Sequence, residues 1–357
     1  MSLSSGWFVV VAFFWTGFFV LEGFDFGVGG LHKVVGRTDT ERRVAINSIG
    51  PVWDGNEVWL VVAGAAMFAA FPNWYATFFS ALYLALWLLL AALIARGVSF
   101  EFRGKFPGST WRSTWSWTLT VGSVLAPLLI GLGLGDLLAG LPVDANGDFT
   151  GTFADLLTPF GLVLGLTMLV LCLLHGAAFL TIRSTGSVLD RSHLACKRLC
   201  LPAAALVLLV GVWTIVLAGS GVKGVVAMAV PVIAVLVAAS TGLSGRSAGI
   251  TFAATAVTIG GVIAALFVCL YPTLLVSTLD PAFSLTVTNS SSSAYSLQVM
   301  SIVALVMVPI VLLYQGWTYY VFRRRVSATD LEAQAPALPR TAERAGAGGA
   351  SETSTGG

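Results

Sequence analysis

Nine apolar stretches, near 7–31, 52–71, 75–95, 117–138, 159–182, 199–219, 224–243, 249–271 and 298–322, dominate the chain. Each approaches the roughly 20 residues a helix needs, at about 1.5 Å per residue, to cross a hydrocarbon core about 30 Å thick. The Leu, Val, Ala and Phe runs are continuous rather than alternating, which selects helices over barrel strands, since a helix satisfies its own backbone hydrogen bonds in lipid. The expected fold is therefore an all-α polytopic membrane protein with nine transmembrane helices over residues 1–325, arranged as two four-helix bundles plus one extra helix. A composition of 57% hydrophobic and 10% charged residues fits no ordinary soluble domain. The first apolar run lacks a basic n-region and an A-x-A site, so it reads as a retained helix rather than a signal peptide.

Charge sets an expected orientation. With the N-terminus outside and nine alternating spans, 18 of the 19 Lys and Arg residues fall on cytoplasmic segments, Lys223 being the exception, and the C-terminus is cytoplasmic. The outer 136–158 loop carries Asp136, Asp144, Asp148 and Asp155 without a base. That asymmetry is the positive-inside pattern. Each basic cluster, Arg96 and Arg103 included, is accordingly expected in solvated loops, of which 32–50 and 96–116 are the longer cytoplasmic ones. A formal net charge of +2 gives no reason to expect a nucleic-acid partner. After Arg325 the chain is rich in Ala, Gly, Ser, Thr and Pro, and 326–357 is expected to be a disordered cytoplasmic tail.

Against this background two pairs of acids stand out. Glu22 and Asp25 lie three residues apart in EGFDFGVGG, and Asp54 and Glu57 three apart in PVWDGNEVWL. An i,i+3 spacing places each pair on one helical face. An ionised carboxylate in mid-membrane costs roughly 2.5–3.5 kcal/mol, so such groups turn toward protein or water. In the expected topology all four sit toward the cytoplasm on adjacent helices, a candidate proton entry, because crowded carboxylates can hold and pass protons. For Asp54 and Glu57 the competing explanation is a helix N-terminus, where acids meet free backbone donors and the favourable end of the dipole. Asp25 sits in a glycine-rich segment that lets another backbone come close.

Weaker signals were weighed with these. His175 on an apolar helix fits a hydrogen bond to a neighbour better than a ligand role. His32 and His193 fall at loop edges, which leaves no axial pair for a haem. Cys196, Cys200 and His193 have spacing compatible with a metal, a reading set below that of ordinary helix residues, and no metal site is expected. Trp59, Trp74, Trp111 and Trp317 read first as interfacial anchors.

Three strings carry a resemblance: EGFDFGVGGL, the long run from GPVWDGNEVWL to RGVSFEFR, and NSSSSAYSLQVMSIVALVMVPIVLLYQGWTYYVFRRR. Together they resemble subunit II of the cytochrome bd-type quinol oxidases, in order from about residue 7 to 325. The resemblance implies a subunit without a haem of its own, embedded in the bilayer of the bacterial cytoplasmic membrane. It implies a partner subunit I that bears haem b and haem d and oxidises quinol, and a complex that reduces dioxygen to water. It further implies a cytoplasmic proton route beginning at Asp54, with Glu57 near it and Asp25 and Glu22 further in, an oxygen path near Trp59, and a bound structural quinone or lipid. The competing reading from the residues alone is a proton-coupled secondary transporter, for which intramembrane acids and a glycine-broken first helix are also suited.

Overall fold

The computed structural model describes residues 2–217, 219 and 221–329. Eleven α-helices account for almost all of it: α1 Leu3–Val35, α2 Asp39–Ile49, α3 Trp53–Ala70, α4 Pro72–Ala81, α5 Tyr83–Phe102, α6 Ser109–Ala139, α7 Pro159–Arg183, α8 Gly186–Leu217, α9 Gly221–Ser244, α10 Ala248–Leu270 and α11 Ala294–Val321. The all-α polytopic class is as expected. Eight of these helices are long and apolar enough to cross a membrane. The helix α3 is not among the eight, because its first turn spends Asp54, Asn56 and Glu57 in only 18 residues.

Several boundaries differ from the expected ones. The span placed at 75–95 is α4, started by Pro72 at its first position, interrupted at Leu82 and resumed as α5 as far as Phe102. The 96–116 loop thus shrinks to 103–108. Arg96 lies inside a helix and is fully buried rather than solvated, because acids from two other helices meet it there. Arg103 is likewise 5% exposed, held by Ser116 and Asp39. The 32–50 loop contains the last turn of α1 and the whole of α2. Thr38 and Glu41 form a capping box at its start, the Thr38 hydroxyl accepting from Glu41 N and the Glu41 carboxylate from Thr38 N. His32, expected at a loop edge, is therefore buried within α1, its Nδ1 2.7 Å from the Gly29 carbonyl. The span placed at 199–219 begins at Gly186, so His193, Cys196 and Cys200 are helical.

The long first helix is central and touches α2, α3, α6, α7, α8, α10 and α11. Helices α7, α8, α9 and α10 form a closed ring in which α10 returns to α7. A second group gathers α3, the α4–α5 pair and α6 around α1, and α11 lies across it with only Leu297 buried. The two groups meet where α1 and α6 pack against α7 and where α1 touches α10. A Cβ on Gly27 would overlap the Cys172 carbonyl and stand 2.7 Å from Gly176 N, so only glycine allows this approach, as the glycine-rich segment suggested.

At the end opposite α2, the two long connections knit together. The strand β1, Thr273–Leu275, pairs antiparallel with β2, Leu285–Thr286, and Leu141 bridges to Ser277. Thr77 Oγ1 donates to the Gly147 carbonyl at 2.7 Å and Ser292 Oγ to the Ala69 carbonyl at 2.6 Å, tying both connections to the break between α3 and α4. Ser293 caps α11, its hydroxyl accepting from Ser296 N at 3.2 Å. Of the expected tail, Val326 is held by the Arg183 carbonyl at 2.8 Å, and 330–357 lie outside the described residues.

Candidate functional site

The buried face of α1 carries Glu22 and Asp25, both fully buried. Their spacing puts them one turn apart on the side that meets α3, α5 and α11. Two branches leave them. In the first, the Arg96 guanidinium reaches across from α5, with Nη2 2.6 Å from Glu22 Oε1 and Nη1 3.1 Å from Glu57 Oε2. Its Nε donates to Ser123 Oγ on α6 at 3.3 Å. One cation is thus shared by carboxylates of two helices, a geometry that the planar guanidinium fork suits. The rings of Phe26 and Phe100, 4.8 and 5.4 Å from the Arg96 guanidinium carbon, close around it. Helix α6 comes near enough because residue 122 is glycine: a Cβ there would stand 2.8 Å from that of Arg96.

In the second branch, Asn56 Nδ2 donates to Asp25 Oδ2 at 2.6 Å and to the Leu21 carbonyl at 3.1 Å. Its Oδ1 accepts from Gln315 Nε2 at 2.7 Å and from the Tyr319 hydroxyl at 2.8 Å. Gln315 Oε1 in turn accepts from Trp59 Nε1 at 3.1 Å. Three helices are locked by one amide. Glu22 Oε2 and Asp25 Oδ1 are buried and accept from no other residue among those described, and the two carboxyl groups lie close enough to share a hydrogen bond with each other. Buried oxygens in that state are costly and draw attention wherever they occur.

Of the four acids singled out from sequence, the structure brings Glu22, Asp25 and Glu57 together. The Glu57 side chain keeps 21% of its surface, which makes it the open end of the cluster. Asp54 is exposed on the first turn of α3, where no side chain caps the helix and an acid complements the dipole. Trp59 is 6% exposed, its ring set against Phe13 and Phe14 and over Gly17.

Arg96, Asn56, Gln315 and Tyr319 were missed. Asn56 stands inside the WDGNE string already singled out, Gln315 is a lone amide in an apolar run, and Arg96 closes LLLAALIAR. An isolated polar residue in such a run is the signal that would have found them.

The two buried histidines are committed elsewhere. His175 Nδ1 is 2.7 Å from Thr255 Oγ1 and its Nε2 3.3 Å from the Val20 carbonyl, with the ring stacked on Phe252 at 4.5 Å. With both nitrogens committed, the residue is the hydrogen-bonding histidine expected, and it does not fit a haem. His32 spends Nδ1 on its own helix. Among the described residues no three His, Cys, Asp or Glu side chains are placed to hold a metal ion.

Fold and site together define a polytopic membrane protein whose core contains an ionic cluster from three helices. The family model for cytochrome bd terminal oxidase subunit II matches residues 3–322. Cytochrome bd ubiquinol oxidase subunit 2 of Bacillus subtilis is 39% identical over 330 residues, 91% of this chain and 97% of that protein. Cytochrome bd-I ubiquinol oxidase subunit 2 of Escherichia coli is 34% identical over 362 residues, 91% of this chain and 96% of its own length. The solved structure of bd oxidase from Geobacillus thermodenitrificans matches with a TM-score of 0.68 over 90% of this chain and 97% of that chain; at 18% identity the likeness is one of fold. The chain belongs to the cytochrome bd terminal oxidase subunit II family.

Proposed function

We propose that this chain is the haem-free subunit II of a cytochrome bd-type quinol:oxygen oxidoreductase in the bacterial cytoplasmic membrane. In this reading it stabilises a haem-bearing subunit I and supplies cytoplasmic protons to dioxygen reduction. The observation that carries it is the buried set in which Arg96 links Glu22 to Glu57 while the Glu22 and Asp25 carboxyls lie against each other with no other donor to Glu22 Oε2 or Asp25 Oδ1. The haems of the partner supply the redox chemistry. Reduction of dioxygen to water consumes protons, which cross hydrocarbon only along titratable groups and water.

Exposed Asp54 collects protons at the surface, and Glu57, at the open end, receives them. Because Arg96 contacts both Glu57 and Glu22, either carboxyl can take up a proton while the guanidinium stays paired with the other. Asp25, one turn from Glu22 and held through Oδ2 by Asn56, lies within hydrogen-bond reach of the Glu22 carboxyl and receives the proton in turn. Trp59 belongs to the oxygen side of the proposal: Phe13 and Phe14, against which it packs, border an apolar hollow of about 530 Å³ between α1 and α11. A structural quinone or lipid would occupy the apolar hollow of about 400 Å³ lined by Trp15, Phe68, Tyr75 and Phe79.

The test is quinol-driven oxygen consumption by the assembled complex carrying Asp54→Asn, Glu22→Gln or Asp25→Asn. Each variant is expected to slow turnover, the buried positions most, with haem absorption unchanged. Wild-type turnover in all three would reduce the chain to a scaffold.

A further inference from the structure

Away from the acids of α1, a polar hollow of about 450 Å³ opens between α2 and the connection joining α5 to α6. Four cations line it, Arg43, Arg103, Lys105 and Arg112, against a single acid, Asp39. The imbalance is built in. Asp39 is already shared by Arg103 and by Arg112, whose Nη1 lies 3.2 Å from Oδ2. Arg103 is fixed a second time by Ser116 Oγ at 2.8 Å, and Arg112 Nη2 donates to the Pro107 carbonyl at 2.8 Å. Two of the guanidiniums are therefore held in place without matching negative charge, whereas exposed Arg43 and Lys105 form no ion pair among the described residues. Burial depresses the Arg103 guanidinium below its ordinary value; Asp39 opposes this in part, and Arg42 and Arg112 reinforce it.

The position narrows the ligand. Helices α5 and α6 are both apolar enough to span, so the short connection between them lies where a bilayer meets water. Trp111, its Nε1 bonded to the Phe102 carbonyl at 2.7 Å, packs with Phe106 and Trp115 beside the hollow, as aromatic side chains do at headgroup depth. Phe100 gives the hollow an apolar wall.

We propose that this hollow binds a phosphate group, with Arg103 and Arg112 as its fixed floor and Arg43 and Lys105 closing over it. The planar guanidinium fork matches phosphate oxygens two at a time, and a basic pocket at this depth suits the headgroup of an anionic phospholipid. A free phosphate anion carries the same chemistry without the acyl chains.

The test uses the purified complex, stripped of lipid and titrated separately with phosphatidylglycerol, phosphatidylcholine and inorganic phosphate, with retained adducts counted by native mass spectrometry. Arg43→Gln with Lys105→Gln removes two exposed charges; Arg43→Gln alone serves if the pair impairs assembly. Lys197→Gln with Arg198→Gln, exposed on α8, is the control. The double variant should lose one bound phosphatidylglycerol or weaken it roughly thirtyfold, from about 1 kcal/mol for each of the two cations near an anionic surface, while the control holds it. Retention of inorganic phosphate without retention of either lipid assigns the site to the free anion; retention of phosphatidylglycerol but not phosphatidylcholine assigns it to the headgroup. Failure of wild type to hold either, equal retention of phosphatidylcholine, or the same loss in the control would overturn the proposal.

Discussion

The two halves of the helical body solve the problem of buried polarity differently. In the α7–α10 ring, the buried polar side chains short of the last turn of α7 are uncharged, and most settle their hydrogen bonds within their own helix. Thr167, Thr258 and Ser192 donate to carbonyls four residues back, and His175 leans on Thr255. The only buried charge among the described residues of those helices is Arg183, in the last turn of α7. Around α1, by contrast, acids and a base converge from three helices, and two carboxyl groups are pressed together with no other donor to one oxygen of each. Stability alone would favour the first arrangement, since a buried ion pair seldom outperforms well-packed apolar residues. Charge retained at that cost is the feature on which the proposed proton route rests.

The largest effect tests whether the ionic half depends on its cation. Arg96→Met would strand Glu22 and Glu57, and loss of one partner from a buried pair costs roughly 3–5 kcal/mol. Yield and melting temperature of the assembled complex should both fall, and adding Glu22→Gln should recover part of the loss. A variant that assembles and melts like wild type would erase the contrast between the halves. Next comes the seam. Gly27→Ala puts a methyl on the Cys172 carbonyl of α7, and overpacking of this kind costs about 1–3 kcal/mol, read as a lowered melting temperature. Smaller again, Thr255→Val removes the partner of His175 in the neutral half. About 1 kcal/mol of stability should go, with quinol-driven turnover unchanged; a large drop in turnover would give the ring a share in the chemistry.

Much of this was legible in the chain. Spans announce themselves because lipid demands about 20 apolar residues and tolerates few charges, and the spacing of Glu22 and Asp25 fixes their shared face. What pairs with them was not legible. Arg96 reads as a loop residue because one cation at the end of an apolar run obeys the topology rule equally well in water; only the continuation of α5 to Phe102 and the glycine at 122 reveal it as an interior counter-ion. Asn56 and Gln315 are joined across 259 positions, a distance that no local pattern encodes. The α2 helix was readable in its T-x-x-E start, yet it is short and polar enough to pass for loop.

The smallest effect lies where the halves meet at the rim. Glu41 on α2 pairs with Arg191 on α8, Oε1 to Nη2 2.6 Å, and accepts from Ser187 Oγ at 2.5 Å, while Arg191 Nε donates to the Val35 carbonyl at 2.5 Å. The Arg191 hydrogen bond, followed by that of Ser187, pulls the Glu41 carboxyl down to about 2. In the unfolded chain the same group titrates near about 4.3, so on acidification the unfolded state takes up its proton first. The clamp's contribution is therefore complete above about pH 5 and is lost as pH falls from about 4.3 toward 2. A partly solvated pair contributes no more than about 1 kcal/mol, so Glu41→Gln should lower the melting temperature slightly at pH 7. At pH 3 the gap between wild type and variant should narrow. A gap independent of pH would mean that the Glu41 charge adds nothing at the rim, leaving the halves joined by the packing of α1 and α6 on α7 and of α1 on α10.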